Sequence, residues 1–330
     1  MQSPPFVSII ILNWNSEKYL PICLNALLAQ TQKNFDIVLL DNGSTDENFL
    51  GLAEKFPDLD LTLKKLNSNL GFSVANNIGA RIARGQWIAL LNADAFPEPD
   101  WLERLLEATE KYPSAFFTSR QVQADNPTYL DGEGDIYHVS GLAWRKSYNL
   151  PIYPLNEHQE VFSACGAAAL FPRQDFLDAG GFDEDYFSYH EDVDLGFRLR
   201  LRGLRCILVP QAIVHHVGSA STGKRSDFSV YHGHRNLVWT FFKDMPTALF
   251  WFYLPLHLAV NFFFLLYFSL KGQGHAIWRA KWHALRGLPA MLKKRQAIQH
   301  GRKTSIAELH RAMSRNWLAP FITALKRRNG

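Results

Sequence analysis

The chain is poor in cysteine: Cys23, Cys165 and Cys206 lie far apart in 330 residues, with no Cys-x-x-Cys spacing. This excludes a disulfide framework and a zinc ribbon, and it points to a reducing compartment. No basic segment precedes the first apolar run, residues 7–12, which is too short for a signal peptide, so a cytoplasmic location is expected. Internal repeats and low-complexity segments are lacking. Acidic residues nearly vanish after residue 270: residues 271–330 hold fourteen Lys and Arg against one acid, Glu308, whereas the first 270 residues hold 21 basic and 30 acidic side chains. Formal charge is missing altogether from residues 248–270, a stretch of 23 dense in Phe, Leu, Trp and Tyr.

With 47% hydrophobic and 20% charged residues, the rest has the composition of an ordinary globular interior. Apolar, β-branched runs at 6–12, 35–40, 61–66 and 87–91 alternate with helical spacing at 20–28, 73–84 and 99–112. Such alternation implies βαβ units and a mainly parallel sheet. Between Ser119 and Phe162, Gly, Asp, Asn and Pro recur without a period, so loops and a short antiparallel excursion are expected there, of the kind that often hold substrate. Helices are expected at 173–179 and 191–202, and a final strand at 205–209. A division into a catalytic domain, 1–225, and a hydrophobic, basic helical region, 226–330, follows. The uncharged stretch is long enough to cross a bilayer, but Pro255, His257 and Asn261 sit in its middle, so an interfacial hairpin is an equal alternative. The basic, Trp-bearing segments that follow, including Trp278-Arg-Ala-Lys-Trp282, Lys293-Lys-Arg295 and Lys326-Arg-Arg328, suit an anionic leaflet. A membrane surface is therefore the expected partner of 246–330, and nucleic acid is not.

Three acidic clusters stand where a parallel sheet places its ligands, beyond strand C-termini. Asp41 follows the second strand, where a carboxylate can accept from a base N–H or a ribose hydroxyl, or can close a turn. Asn92 and Asp94, at i and i+2 of an extended segment, point the same way, and their hard oxygens suit Mg2+ or Mn2+. Glu191, Asp192 and Asp194 open a helix, more acids than capping requires, and one can serve as a general base. Arg198, one turn beyond Asp194, can pair with it or reach a phosphate. His215 and His216, after the last strand, can add an imidazole to the metal.

These clusters stand in the order found in the inverting glycosyltransferases of family 2. The blocks are Val7-Ser-Ile-Ile-Ile-Leu-Asn-Trp-Asn15, Leu39-Leu-Asp-Asn-Gly-Ser-Thr-Asp46, Asn69-Leu-Gly-Phe72 with Asn76 to Gly79, Leu91-Asn-Ala-Asp94, Gly180-Gly-Phe-Asp183 and Glu191-Asp-Val-Asp-Leu195. The chain resembles that family over about residues 6–222, most of all its rhamnosyltransferase-like branch, which makes O-antigens and cell-wall polysaccharides. The resemblance implies a GT-A fold, an α/β Rossmann-like sheet flanked by helices. It implies that Asp41 holds the nucleotide base with Asn13 and Asn15 nearby, and that Gly71, Asn76, Asn92 and Arg198 also face the nucleotide sugar. Asp94 then binds the metal, one of His215 and His216 completes that site (His216 by the better match of Val217-Gly-Ser-Ala-Ser221), and Asp192 with Glu191 forms the catalytic pair, Asp192 as the base. The family's Asp-x-Asp is departed from at Asn92, a neutral first ligand that holds a metal more loosely. The expected activity is transfer of a sugar, with dTDP-rhamnose as leading donor, to a saccharide or polyprenyl-linked saccharide at the cytoplasmic face of the bacterial inner membrane. A nucleotidyltransferase and an inactive sugar-binding scaffold are the rival readings. The first is disfavoured because Asn13-Trp-Asn-Ser-Glu17 stands where a Gly-rich basic loop is usual.

Overall fold

A computed structural model describes residues 6–45, 48–218 and 226–316. Asp46, Ser219 to Ser221 and Lys326-Arg-Arg328, singled out above, lie outside the described residues. The first part of the chain comprises β1 (Val7–Asn13), α1 (Leu20–Leu28), β2 (Phe35–Asp41), α2 (Leu52–Lys55), β3 (Leu61–Lys65), α3 (Gly71–Ile82), β4 (Trp87–Asn92), β5 (Ala95–Pro97) and α4 (Trp101–Lys111). Next come β6 (Ala115–Gln123), β7 (Leu130–Gly132), β8 (Asp135–Tyr137), β9 (Ala143–Arg145), β10 (Gln159–Val161), β11 (Ala168–Pro172), α5 (Arg173–Asp178), α6 (Glu191–Leu201) and β12 (Arg205–His216). The chain continues through α7 (Asp227–Asp244), α8 (Thr247–Leu270), α9 (Gly274–His300) and α10 (Ile306–Ala312).

Runs that are apolar on both faces become central strands, because a parallel sheet covered on both sides buries every side chain. Val7, Ile9, Ile10 and Ile11 of β1 are fully buried, Ile9 and Ile11 against α1 and α4, Ile10 against α3. Each such side chain stabilises the fold by roughly 1.5–3 kcal/mol. The main sheet has the order β10-β12-β6-β11-β4-β1-β2-β3. Its β4-β1-β2-β3 half is wholly parallel, as the alternation implies. The other half is mixed, since β11 runs antiparallel to both β4 and β6.

Three features of that second half depart from the periodicity. Residues 115–123 form a nine-residue strand rather than the start of a loop region. Thr118, Ser119, Arg120 and Gln121 hide its pattern, yet all four are buried, and Arg120 lies 3.1 Å from the buried carboxylate of Glu133. β11 is masked by its alanines. β12 runs on past Val209, through an irregularity before Ile213, to His216, so the two histidines lie on the strand and not after it.

The C-terminal helices share a core with the α/β body. Tyr137, Phe162, Val193, Phe197 and Leu201 pack with Phe241, Met245, Leu249, Phe250, Leu309 and Met313 across the expected 225/226 boundary. α8 is the one helix among the described residues long and apolar enough to cross a membrane. Its polar residues turn inward: His257 stacks on Phe241 at 3.9 Å and bonds Ser140 O at 2.7 Å, and Asn261 Oδ1 accepts from Lys281 Nζ at 2.6 Å. Its outer face is apolar, with Trp251, Phe252, Leu258, Phe262, Phe263, Leu266 and Leu270 exposed.

Candidate active site

The parallel register sets Asn13 beside Asp41 and Leu12 beside Asn92, so three strands deliver polar residues to one edge of the sheet. Asn13 Nδ2 donates to Asp41 Oδ1 at 3.0 Å, and Ser44 N donates to the same oxygen at 3.4 Å. Asp41 Oδ2 and Asn13 Oδ1 are buried and have no hydrogen-bond partner among the described residues. Buried acceptors without donors are costly, and a ligand bearing N–H or O–H groups would satisfy them. Asn15 sits at φ +50°, its Oδ1 accepting from Thr45 N at 3.1 Å, and so shapes the loop beside Asp41.

Gly71 and Asn76 have structural duties. Gly71 has φ +84°, and a Cβ there would lie 2.6 Å from the Phe187 ring. Asn76 Nδ2 donates to Phe72 O within its own helix at 2.9 Å. The neighbouring Asn77, not singled out in the sequence, ties α3 to Phe182 through paired bonds of 2.8 Å.

Asn92 and Asp94 converge on His216. Its Nε2 lies 3.4 Å from Asp94 Oδ1 and 3.4 Å from Asn92 Nδ2, while Nδ1 donates to Asp131 Oδ2 at 2.7 Å. Because successive strand residues point to opposite faces, His215 turns away and bonds Glu98 at 2.7 Å. This corrects the expectation that either histidine could join Asp94. Burial opposes charge on His216, but the hydrogen bonds it donates to Asp131 and Asp94 outweigh it and raise its pKa to about 9. Asp131 was missed because it lies in the stretch without a period; its signal was the acidic run Asp131-Gly-Glu-Gly-Asp135. No group of three or more His, Cys, Asp or Glu among the described residues is arranged to hold an ion alone. One carboxylate and one imidazole, the latter oriented by a second carboxylate and able to ligate once its Nε2 proton is lost, nevertheless fit a divalent ion that takes its remaining ligands from substrate phosphates.

The third cluster divides by burial. Asp194 is fully buried: Arg198 donates to it through Nε at 2.9 Å and Nη2 at 2.6 Å, and Lys243 pairs with its other oxygen. Burial alone would raise the Asp194 carboxyl, but Arg198 and Lys243 hold it far below the usual range. Arg198 also donates from Nη1 to Ala179 O at 2.6 Å and from Nη2 to Gly181 O at 2.7 Å. This corrects the expectation that Arg198 faces a diphosphate: its guanidinium is committed to the fold. Glu191 is buried, and burial together with Asp192 pushes its carboxyl well above the usual range. Asp192 is partly accessible, with Oδ2 accepting from Gly166 N at 3.2 Å and Oδ1 from Val193 N at 2.8 Å. Burial raises its carboxyl despite those donors and Arg145. One residue along that loop, Ala167 O accepts from Asn92 N at 2.9 Å, which ties Asp192 to the strand end bearing Asn92. An accessible carboxylate with a raised pKa is a stronger base than an ordinary one and is suited to taking a proton.

The profile of the family described as Glycosyl transferase family 2 matches residues 8–179, just over half of the chain. The chain belongs to glycosyltransferase family 2. It is 27% identical over 271 residues to the N-acetylglucosaminyl-diphospho-decaprenol L-rhamnosyltransferase of Mycobacterium tuberculosis, covering 75% of this chain and 87% of that one. It is 28% identical over 243 residues to the O-antigen biosynthesis protein RfbC of Myxococcus xanthus, covering 69% of this chain but only 18% of that longer protein. Among solved structures it is similar to S. aureus TarS 1-349 in complex with UDP-GlcNAc, with TM-score 0.59, 18% identity, and 94% and 93% of the two chains covered. It is also similar to GalNAc-T7 with UDP, GalNAc and Mn2+, with TM-score 0.60, 18% identity, and 73% and 48% covered. The fold of this family-2 enzyme is thus GT-A-like, a mixed sheet flanked by helices.

Proposed function

We propose that this glycosyltransferase is metal-dependent and inverting. It moves a sugar, with dTDP-rhamnose the leading donor, to a saccharide or polyprenyl-diphosphate-linked acceptor in cell-surface polysaccharide synthesis. The observation that carries the reading is the convergence at one sheet edge of three groups: the Asn13–Asp41 acceptor pair, the Asp94–His216 pair, and a single accessible carboxylate, Asp192. The rhamnosyltransferase relative supports the donor and the lipid-linked acceptor.

Asp41 and Asn13 bind the base and ribose through their unsatisfied oxygens. Asp94 and His216 would hold Mg2+ or Mn2+, which supplies charge neutralisation at the departing diphosphate. Asp192 takes the proton of the acceptor hydroxyl, whose oxygen forms a bond to the anomeric carbon as the bond to the diphosphate breaks. A single displacement inverts that carbon and needs one base. A donor screen with detergent-solubilised protein tests this. Release of nucleoside diphosphate with transfer supports it. Release of pyrophosphate, or no transfer from any nucleotide sugar with Mg2+ or Mn2+, would favour the nucleotidyltransferase or the inactive scaffold. Asp131→Asn, which takes the negative charge from the group that orients His216, is expected to raise the Mn2+ concentration for half-maximal activity by about 10–100-fold. An unchanged metal titration would remove His216 from the site.

The enzyme works on the cytoplasmic face of the bacterial inner membrane, lying on it through α8 and α9. In support, His257 at the middle of α8 touches Ser140 of the catalytic body, a contact that a span would drag to the bilayer centre. Its outer apolar face continues into Trp278, Trp282, Leu285 and Leu292 of α9, beside Arg279 and Arg286. Such a face, rimmed by cations, matches an interfacial hairpin. Replacing Phe252, Phe262 and Trp282 together by Ser is expected to weaken flotation with anionic vesicles by at least about tenfold, since each buried aromatic contributes roughly 1.5–3 kcal/mol. Equal flotation of variant and parent would discard this surface.

A further inference from the structure

We propose that Asn236 and Arg235 of α7 are positioning residues for transfer, holding the loop before α6 in the one conformation that aims Asp192. The inference rests on Asp192 being the base.

Asp192 is the second residue of α6, and the chain reaches that helix by an unusual path. Phe187, Tyr189 and His190 have φ of +64°, +68° and +69°. Side chains rarely tolerate this region, and three such residues in four persist only where surrounding structure holds them. Within the loop Ser188 N donates to Tyr186 O at 2.8 Å, but His190, the N-cap, makes no side-chain capping bond among the described residues. Further ties come from a distant helix. The amide Nδ2 of Asn236, on a fully buried side chain, reaches Tyr186 O at 3.1 Å, Ser188 O at 3.0 Å and Tyr189 O at 2.6 Å. Arg235 Nη2 donates to Asp185 O at 3.0 Å and Tyr186 O at 2.8 Å.

The orientation of the Asn236 amide is unambiguous. Arg235 Nε donates to Asn236 Oδ1 at 2.8 Å, and a guanidinium can only donate, so the amide oxygen faces the arginine and the NH2 faces the three carbonyls. From the other side, Phe72 N donates to Phe187 O at 2.7 Å, with Gly71 against the Phe187 ring. α7 is itself braced by α9. Trp239 Nε1 donates to Ala284 O at 3.0 Å, and Gly287 lies so close that a Cβ would stand 2.5 Å from the Trp239 ring. Thus all three carbonyls on the approach to Asp192 bond one amide, and Tyr186 O also accepts from Arg235 Nη2 and from Ser188 N. Without that amide the loop loses its ties to α7 at Ser188 O and Tyr189 O, and turning those carbonyls elsewhere moves the start of α6.

The test compares Asn236→Leu, of similar size but without donors, with Ser229→Ala, which loses the bond from Ser229 Oγ to Ser226 O in the first turn of α7 and touches neither Arg235 nor Asn236. Displacement of a reacting group by an ångström costs about 10²-fold, so Asn236→Leu is expected to lower kcat by that order, with Ser229→Ala near the parent. Nucleoside-diphosphate affinity by calorimetry is expected to stay within about threefold of the parent, because the donor cradle is on other strands. The acid limb of kcat against pH is expected to move to higher pH, as Asp192 loses the Gly166 and Val193 N–H groups that favour its charged form. A folded Asn236→Leu protein with parental kcat overturns the proposal, and so does a parallel fall in kcat and affinity with the acid limb in place. Should that variant not fold, Arg235→Met against Arg235→Lys decides: a drop in kcat that lysine partly restores supports the clamp, and parental kcat in the methionine variant overturns it. A parent protein without transfer from any donor would fail the proposed function, whereas an active parent with silent variants fails only the clamp.

Discussion

Asp192→Asn is expected to cut kcat for transfer by about 10²–10⁴-fold, the contribution typical of a positioned general base. Nucleoside-diphosphate affinity is expected to persist. The amide keeps the size of the carboxylate and can accept from one of Gly166 N and Val193 N, which bond different oxygens of Asp192, but it cannot take a proton. Of the three acids that open α6, only Asp192 is both accessible and free of a cation at hydrogen-bond distance among the described residues, whereas Asp194 is enclosed by Arg198 and Lys243. In the parent enzyme, the rate should rise with pH through the pKa of Asp192. Since burial raises that value, the acid limb is expected above the ordinary carboxylate range. Kinetics at saturating donor across pH, with calorimetry of nucleoside diphosphate, check both points. Retained turnover in the variant would sink the assignment, and a limb at an ordinary carboxylate value would remove the role of burial.

Lys243→Met should cost the fold about 3–5 kcal/mol, the penalty for removing one partner of a buried ion pair. Lys243 is 1% exposed, 2.6 Å from Asp183 and paired with Asp194. It is the cation that α7 inserts between the loop before α6 and α6 itself. Lys294 of α9 also reaches Asp183 and, at 2.8 Å, Asp185, so the network joins three helices. Methionine fills similar volume but leaves two buried carboxylates facing each other with less compensation. The dependence on pH has a definite sign. Asp183 and Asp194 are both held below their ordinary values, so their stabilisation is present above the unfolded carboxyl pKa of about 4 and is lost as pH falls through their lower folded values. The gap between parent and variant is therefore widest at neutral pH and should narrow in acid. Urea unfolding at pH 7 and pH 4 measures it, and a difference below about 1 kcal/mol at pH 7 would mean that the pair is worth no more than an exposed one.

Much of this enzyme is legible in one dimension. The helix over 20–28 lies where its spacing places it, and β1 to β4 fall within a residue or two of their apolar runs, because burial on both faces leaves a continuous apolar record. β6 left no such record: its buried middle is polar, and Arg120 is tolerated there only because Glu133, from a different strand region, lies against it. The family was legible too, through blocks whose order survives at low identity. The roles inside the blocks were less so. From its place one turn after Asp194, Arg198 could pair with that acid or reach a phosphate; it pairs, and the carbonyls of Ala179 and Gly181, brought in by the turn after α5, take bonds from its outer nitrogens.

By itself, then, the sequence determined the α/β order, the placing of polar clusters at strand ends, the family, and an apolar stretch followed by a basic one. These depend on period, propensity and local turn chemistry, which neighbouring residues carry between them. Only the tertiary structure decided that His216 and not His215 meets Asp94, that Asp131 orients it, that Asp194 is closed off while Asp192 stays open, and that Asn236 grips the loop before them. Each of those is a choice of partner. A side chain's partner is set by what the fold carries to it from far along the chain, and a carboxylate is free or bound only once that neighbour has arrived.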